Sequence, residues 1–153
     1  MKINSRDINE LNPKVADMCR KFLDKCSKDE YLIKKGVGVI ITSTFRNAES
    51  QNDLYAQGRT KPGGKVTNAK AGYSMHNFRC AFDFAPTLKV GDKAVIPWND
   101  SALFTYIGQI GKSVGLEWGG DWKSFKDMPH FQFTEGLTLA QLRLKYGTEA
   151  KKV

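Results

Sequence analysis

The sequence predicts an α+β fold, a single compact domain in which helices flank a small central antiparallel sheet. The chain has 153 residues, a length typical of one domain with its own core. Segments with apolar residues at helical spacing are interspersed with short β-branched or alternating segments, and one segment has the pattern of a β-hairpin. No repeat, low-complexity tract or linker divides the chain, so we expect residues 1–153 to form one domain.

The first half of the chain is predicted to contain a helix, a strand and a second helix. Asn12 and Pro13 are typical of an N-cap and a first helical position. The apolar residues that follow recur at helical spacing: Val15, Met18, Cys19, Phe22, Leu23 and Cys26. Residues 36–44 are β-branched and apolar, which indicates a strand. A helix is predicted over residues 48–57 and ends at Gly58.

The second half is predicted to contain short strands and two helices after a long loop over residues 59–73. Loops of this length in compact domains are often functional. The remaining elements are a strand over 79–85, a hairpin over 88–96 turning at Gly91-Asp92, a helix from Asn99 or Asp100 to about Val114, strands over 116–118 and 130–133, and a helix from the Thr138-x-x-Gln141 capping box to Gly147.

The net charge of +8 and the pI of about 9.4 favour an anionic partner, such as nucleic acid, lipid headgroups or an acidic cell wall. Charge does not choose among these partners, and the basic residues are scattered rather than clustered as in nucleic-acid-binding arms. No apolar run approaches the roughly 20 residues that span a membrane. The N-terminal residues lack the apolar segment of a secretory signal. We therefore expect neither a membrane span nor a signal peptide.

The three cysteines, Cys19, Cys26 and Cys80, do not indicate a disulfide framework, because their number is odd and no secretory signal precedes them. No Cys-x-x-Cys pair is present, which removes the common thiolate zinc sites. Cys19 and Cys26 are seven residues apart on a predicted helix, so both should face the core. A Cys80 nucleophile is disfavoured, because strand alternation directs Cys80 away from Asp83.

The two histidines of the chain, His76 and His130, each lie near a carboxylate. Asp83 follows His76 within an otherwise apolar strand, where alternation separates it from Phe82 and Phe84. A carboxylate beside core aromatic residues is costly unless it is paired or bound to a metal. An ion pair with Arg79 or Arg46 would also satisfy Asp83, but it would not account for the nearby histidine.

Asp127 precedes His130 by three residues, and Pro129 favours an extended backbone leading into His130. A second carboxylate beside a metal site can accept a proton from water and return it to a leaving amine. A plain turn residue before Pro129 is the alternative interpretation of Asp127. His76, Asp83 and His130 form a three-ligand set of the catalytic zinc type, although mixed nitrogen and oxygen ligands also suit other divalent metals.

These motifs resemble a known family. Ser74-x-His76-x-x-x-x-Ala81-x-Asp83 followed by Asp127-x-x-His130 is similar to the zinc DD-peptidase and LD-peptidase family, peptidase M15. The stretch Tyr55-Ala-Gln-Gly-Arg-Thr60, with the residues around it, resembles the L-alanyl-D-glutamate endopeptidase branch, which includes phage endolysins. The resemblance extends from Val39 to Phe133.

The resemblance implies zinc bound at the sheet face by His76, Asp83 and His130, with Asp127 as the catalytic base. It implies that Arg46 binds a substrate carboxylate or stabilises the oxyanion, tasks that suit a guanidinium. It also places Gln51 and Ser74 near the substrate or the ligands.

The family usually has glycine where this chain has Arg79. An arginine at a position with positive φ would cost about 1 kcal/mol or more. The substitution would also bring a new cation near the cleft.

The function implied is zinc-dependent cleavage of the L-Ala–D-Glu bond of peptidoglycan stem peptides by a monomeric phage endolysin without a separate wall-binding domain. Such a protein would be made in the host cytoplasm and released to the wall through a holin. No nucleic acid partner is expected. Arg59, Lys61 and Lys65 would offer cations to an acidic substrate.

Two other functions remain open. A D-alanyl-D-alanine carboxypeptidase or dipeptidase would use the same metal site. A non-catalytic, basic module that binds cell wall or nucleic acid would need neither histidine.

Overall fold

The computed structural model describes residues 1–152 and has the predicted α+β architecture. The helices are α1 (Pro13–Lys28), α2 (Glu30–Lys35), α3 (Ala48–Ala56), α4 (Ser101–Ser113) and α5 (Leu139–Tyr146). The strands are β1 (Gly38–Ser43), β2 (Ala81–Val90), β3 (Lys93–Val95), β4 (Glu117–Trp118) and β5 (His130–Gln132). Three short 3₁₀ turns cover Ile8–Glu10, Met75–Phe78 and Gly119–Asp121.

All strand pairs are antiparallel, and the sheet has the order β1-β2-β5-β4, with β3 paired to the distal half of β2. The long strand β2 is therefore the centre of the sheet. Its register places Asp83 opposite Ser43 on β1 and opposite His130 on β5. The predicted small antiparallel sheet with flanking helices is confirmed.

The core lies on one face of this sheet and is largely aromatic. Phe22 of α1 makes edge-to-face contacts with Phe84 and Phe131, with ring centroids 5.7 and 4.9 Å apart. Phe82 and Phe84 are fully buried on the core face, as strand alternation predicted. Burial of one such ring stabilises the fold by about 1.5–3 kcal/mol.

Two glycines of α4 allow that helix to lie close to the sheet. A Cβ added at Gly108 would come within 2.5 Å of the Trp118 ring, and one at Gly111 within 2.2 Å of the Phe131 ring. These distances are shorter than any van der Waals contact, so larger residues would push α4 away. The aromatic core thus fixes the positions of β4 and β5. The polar site lies on the opposite face of the sheet.

The sequence misplaced three local features. Helix α2 was not predicted, although Asp29 caps it and Gly36 ends it in a left-handed conformation. Strand β2 begins at Ala81 rather than at residue 79, because Arg79 has φ 62°. The side chain of Asn12 does not cap α1 and instead donates to the Phe78 carbonyl at 3.2 Å.

Among residues 1–152, no helix combines the length and apolar character that crossing a membrane requires. Cys19, Cys26 and Cys80 are buried and unpaired. Burial raises the pKa of the Cys80 thiol to about 12, which leaves no thiolate for nucleophilic attack near neutral pH.

Candidate metal centre and cleft

Three separate elements bring His76, Asp83 and His130 together. Oδ1 of Asp83 lies 3.2 Å from Nε2 of His76 and 3.3 Å from Nδ1 of His130. One potential ligand atom from each residue lies within 4.8 Å of the other two. Both histidines are buried, and the Asp83 side chain is about one-quarter exposed. The sequence therefore predicted the members of this cluster, and the fold assembles them.

The backbone fixes where each of the three side chains starts. Asp83 and His130 are cross-strand partners in the β2–β5 pair. His76 lies on the 3₁₀ turn Met75–Phe78, which begins with a capping box between Ser74 and Asn77. The Ser74 hydroxyl accepts from the backbone N–H of His76 at 3.3 Å. Ser74 lines the cleft and also orients the turn that carries His76.

Each histidine is also held through its second ring nitrogen. The Thr44 carbonyl oxygen lies 2.8 Å from Nδ1 of His76, and Gln132 Oε1 lies 2.8 Å from Nε2 of His130. A carbonyl can only accept, so Nδ1 of His76 donates to Thr44, and Nε2 is the ring nitrogen that is available to a metal ion beside Asp83. This is the usual support of a metal-binding imidazole by an outer acceptor.

The electrostatics of the cluster favour a charged Asp83. Burial alone would raise the pKa of Asp83, but the charges and hydrogen bonds of His76 and His130 outweigh burial and hold it well below its usual range. Burial opposes a charged His130, yet its contacts with Asp83 raise its pKa above the ordinary histidine value. One carboxylate oxygen facing two buried imidazoles fits a divalent cation, which would take the place of these shared protons.

Asp127 stands beside this cluster at the edge of the cleft. Its Oδ2 is 3.8 Å from Nδ1 of His130, and about half of its side chain is exposed. Burial raises its pKa and the Asp83 charge adds to this effect, while His130 counteracts it. Its backbone also forms a turn, since its carbonyl accepts from the His130 N–H at 3.1 Å. The turn interpretation therefore describes the backbone of Asp127 and leaves its carboxylate free for chemistry.

Arg46 follows β1 in the sequence and lines the cleft. Its Nη1 donates to Gln51 Oε1 at 3.1 Å, and its buried Nε has no hydrogen-bond partner among the described residues. Burial lowers the pKa of Arg46, and the charges of Asp83 and Asp127 oppose that shift. The Arg46 guanidinium adds a hydrogen-bond donor to the lining of the cleft.

Gln51 was expected to lie near the substrate, but the structure places it behind Arg46. Its side chain is fully buried and donates to the Ala69 carbonyl at 2.7 Å. It does not line the cleft. Gln51 therefore orients Arg46 and anchors the loop that forms one wall.

The cluster forms the floor of an open cleft of about 1160 Å³. Residues 66–69 form one wall, and residues 124–126 with Trp122 form another. This volume exceeds the roughly 300–1,000 Å³ of common small-molecule sites. The second wall contains Lys126 and an exposed Phe125.

The predicted supply of cations from the long loop is not found. Arg59 donates to the Tyr55 and Thr67 carbonyls, Lys61 pairs with Asp53, and neither they nor Lys65 line the cleft. The cleft cations are instead Arg46 and Lys126.

Arg79 is also remote from the cleft, contrary to expectation. It has the positive φ predicted for a glycine position, and its guanidinium is buried against the Phe45 ring. It donates to the Glu10 carboxylate at 2.7 Å and to the Ala150 carbonyl at 2.9 Å. The interactions that the side chain makes with both ends of the chain offset the strain in its backbone.

The sequence did not identify three residues that contact the site from β4, β5 and the following turn. Gln132 bonds to His130, and Glu117 and Trp122 complete the network behind it. Alternation along β5 could have placed Gln132 on the His130 face. Glu117 and Trp122 gave no comparable signal, since Glu117 reaches Gln132 through the β4–β5 register and Trp122 reaches Glu117 from the turn after β4.

The α+β fold thus brings His76, Asp83 and His130 into one cluster that could hold a metal ion, with the Asp127 carboxylate beside it. Residues 67–133, which contain all four of these side chains, match the peptidase M15 family model described as D-alanyl-D-alanine carboxypeptidase. The match agrees with the resemblance seen in the sequence, and it covers the part of the chain that carries both histidine motifs.

The chain is also similar to individual members. It is 44% identical over 106 residues to the peptidoglycan L-alanyl-D-glutamate endopeptidase CwlK of Bacillus subtilis (strain 168), covering 64% of this chain and 62% of that protein. It is 28% identical over 131 residues to the L-alanyl-D-glutamate peptidase of Listeria phage A118, covering 83% of this chain and 39% of that protein. The chain thus spans less than two thirds of both relatives.

A solved structure has a related fold. The Serratia marcescens L-Ala D-Glu endopeptidase ChiX superposes with a TM-score of 0.56 at 20% identity, covering 86% of this chain and 89% of that chain. At this identity the match supports the α+β fold alone.

Proposed function

We propose that this protein is a zinc-dependent peptidoglycan endopeptidase that cleaves the L-Ala–D-Glu bond of stem peptides. The observation that carries the proposal is the contact of one Asp83 oxygen with both His76 and His130, beside the free carboxylate of Asp127. Both relatives, the bacterial and the phage enzyme, are named for peptidase activity on the L-alanyl-D-glutamate bond, which supports the choice of substrate.

The ligands we propose are Nε2 of His76, Oδ1 of Asp83 and Nδ1 of His130. A bound zinc ion would polarise the scissile carbonyl and lower the pKa of water. Two nitrogens and one oxygen from the protein leave a further position for the reactants, as in catalytic rather than structural zinc sites.

The residues of the cleft then have separate tasks. Asp127 accepts a proton from the attacking water and returns it to the leaving amine of D-Glu. Its raised pKa brings it nearer to the operating pH, which suits a group that must both gain and lose a proton. Arg46 donates to the oxygen on which negative charge develops, and Gln51 and Ser74 position Arg46 and His76.

We also propose that the described residues act as one catalytic domain on peptidoglycan. A role as a phage endolysin that is released to the wall through a holin is consistent with the phage relative. The net charge of +8 favours binding to an anionic envelope.

Mass spectrometry of digested muropeptides tests the proposal. The zinc-loaded protein should split a defined stem peptide between L-Ala and D-Glu, and a chelator should abolish the cut. His76→Ala should bind no zinc and cleave nothing, while the surface variant Asp121→Asn should behave as the parent. An intact L-Ala–D-Glu bond after prolonged digestion would contradict the proposal.

A D-alanyl-D-alanine carboxypeptidase is the second candidate, because that is the description of the matched family model. The same spectra distinguish it, since it would release free D-alanine and leave the L-Ala–D-Glu bond intact.

A further inference from the structure

A chain of polar groups extends from His130 away from the metal-facing side of its ring. Gln132 Oε1 lies 2.8 Å from Nε2 of His130, and Gln132 Nε2 donates to Glu117 Oε2 at 3.1 Å. The indole N–H of Trp122 donates to the same Glu117 oxygen at 2.9 Å. The Trp122 ring also packs against the His130 ring, with centroids 5.2 Å apart.

The sheet itself places these residues together. His130 and Gln132 are two residues apart on β5 and therefore point to the same face. Gln132 has two cross-strand partners, Glu117 on β4 and Ala81 on β2. Gln132 thus lies between a small side chain and a carboxylate, with only 7% of its surface exposed.

The hydrogen bonds from His130 through Gln132 to Glu117 all run in the same donor-to-acceptor direction. An ionised carboxylate only accepts, so Glu117 must receive the Gln132 amide N–H. The Gln132 oxygen is then turned towards His130, and it accepts from Nε2–H of the neutral imidazole. With its proton on Nε2, the imidazole keeps a lone pair on Nδ1, the atom that faces Asp83.

Without the carboxylate this direction is lost. A glutamine amide has an acceptor end and a donor end of nearly equal shape, and its orientation follows its partners. If the Gln132 amide turned over, its N–H₂ group would face His130, and Nε2 would have to accept. The proton would then move to Nδ1, which could no longer bind a metal.

We propose that Glu117 is a positioning residue of the metal centre, acting through Gln132 to keep His130 in the tautomer that presents Nδ1 to the cation. Trp122 supports it by holding the same carboxylate oxygen. The inference rests on the proposed metal function, and neither Glu117 nor Gln132 is a ligand in it.

Two measurements on Glu117→Gln test this role. Competition with a zinc-binding dye should show zinc affinity lowered by about tenfold, the lower end of the range for outer partners of metal-bound histidines. Long-range ¹H–¹⁵N spectra of the metal-free protein, above the imidazole pKa, should show the His130 proton on Nε2 in the parent. In the variant the proton should be shared between Nε2 and Nδ1.

Exchanging the side chains of Glu117 and Gln132 should rescue the properties of His130. The double variant E117Q/Q132E keeps the net charge and again gives His130 a pure acceptor, so zinc affinity and tautomer should return towards those of the parent. Gln132→Met, which cannot accept, should lose affinity by up to about 100-fold. Asp121→Asn, which removes an equal charge from the neighbouring turn, is the matched control and should change neither reading.

Parent-like zinc affinity in Glu117→Gln, with His130 still protonated on Nε2, would overturn the inference. Failure of the parent to bind zinc would instead overturn the proposed metal function. The tautomer of metal-free Glu117→Gln would still decide the role of Glu117. Glu117 is exposed, so loss of its carboxylate should leave the fold intact, and near-ultraviolet circular dichroism checks this.

Discussion

Asp83 and His130 lie directly opposite each other in the β2–β5 pair, with Oδ1 of Asp83 3.3 Å from Nδ1 of His130. The contact is therefore set by strand register. A slip of one residue on β5 would turn His130 into the aromatic core and bring Phe131 to the cleft. The close packing of Gly111 against Phe131 opposes such a slip. In this way the apolar face of the sheet determines the geometry of its polar face.

This contact predicts how pH affects the metal-free protein. The folded pKa of His130 is raised, so its contribution to stability is present below the unfolded value of about 6.5 and is lost as pH rises through the folded value. The folded pKa of Asp83 is lowered, so its contribution is present above about 3.9 and is lost as pH falls through the folded value. Thermal unfolding with a chelator should therefore show Tm falling from pH 6 to pH 8.

Zinc should reverse this trend, because it binds neutral histidine. The Tm difference between zinc-loaded and metal-free protein should grow as pH rises from about 5 to about 8. Zinc at 100 times its Kd should add about 2.7 kcal/mol to the free energy of unfolding. His130→Asn is the control that should remove both effects. A zinc effect larger at pH 5 than at pH 8 would contradict the ligand assignment.

Asp127 allows a separate test of the chemical step. Asp127→Asn keeps the size of the side chain and removes the base, so kcat should fall by about 10²- to 10⁴-fold while zinc remains bound. Asp121→Asn is the matched control, since Asp121 lies on the same connection and pairs with Lys112 outside the cleft. If Asp127→Asn turned over substrate at the parental rate, Asp127 would be a turn residue and not a catalytic base.

Arg79 should affect stability and not catalysis. Arg79→Ala loses the contacts with Glu10 and Ala150 and keeps a strained positive φ. Arg79→Gly loses the same contacts without the strain, so it should be about 1 kcal/mol more stable than Arg79→Ala. Denaturant unfolding measures this difference, and kcat/KM of both variants should match the parent.

A double-mutant cycle with Glu10→Gln checks the ion pair of Arg79. A coupling energy near zero would show that this ion pair does not contribute to stability.

The fold was predictable where local signals were strong. The capping box at Thr138, the hairpin turn at Gly91 and the helix start at Pro13 appear where the sequence placed them. Alternation separated Asp83 from Phe82 correctly. The start of β2 was missed because a left-handed arginine is rare, so nothing at Arg79 signalled a turn except its comparison with glycine.

The sequence motifs indicated which side chains could form the candidate site, but they did not indicate what surrounds it. His76, Asp83 and His130 stand in spaced motifs, and the structure brings them together. Which cations reach the cleft depends on long-range contacts: Lys61 is bound by Asp53, whereas Lys126 lines the cleft. Gln51 matched the motif, but its full burial makes it a support for Arg46, which only tertiary structure reveals.

Arg46 is predicted to act on the reaction rather than on general binding. Two tasks were open to it, recognition of a substrate carboxylate and stabilisation of the oxyanion. Its guanidinium is tethered to Gln51, and Arg46 lines the same cleft as Asp83 and Asp127. Donors at that place act most strongly in the transition state, where negative charge develops on the carbonyl oxygen.

Arg46→Lys should therefore lower kcat by about 10²- to 10³-fold, the usual effect of losing one oxyanion donor, with little change in KM. The lysine keeps the charge but cannot reproduce the planar fork that reaches Gln51 and the substrate together. Arg59→Lys is the matched control, because Arg59 lies outside the cleft lining and bonds to backbone carbonyls. Steady-state kinetics on a defined stem peptide gives both constants. An increase in KM at constant kcat would assign Arg46 to binding of a substrate carboxylate instead.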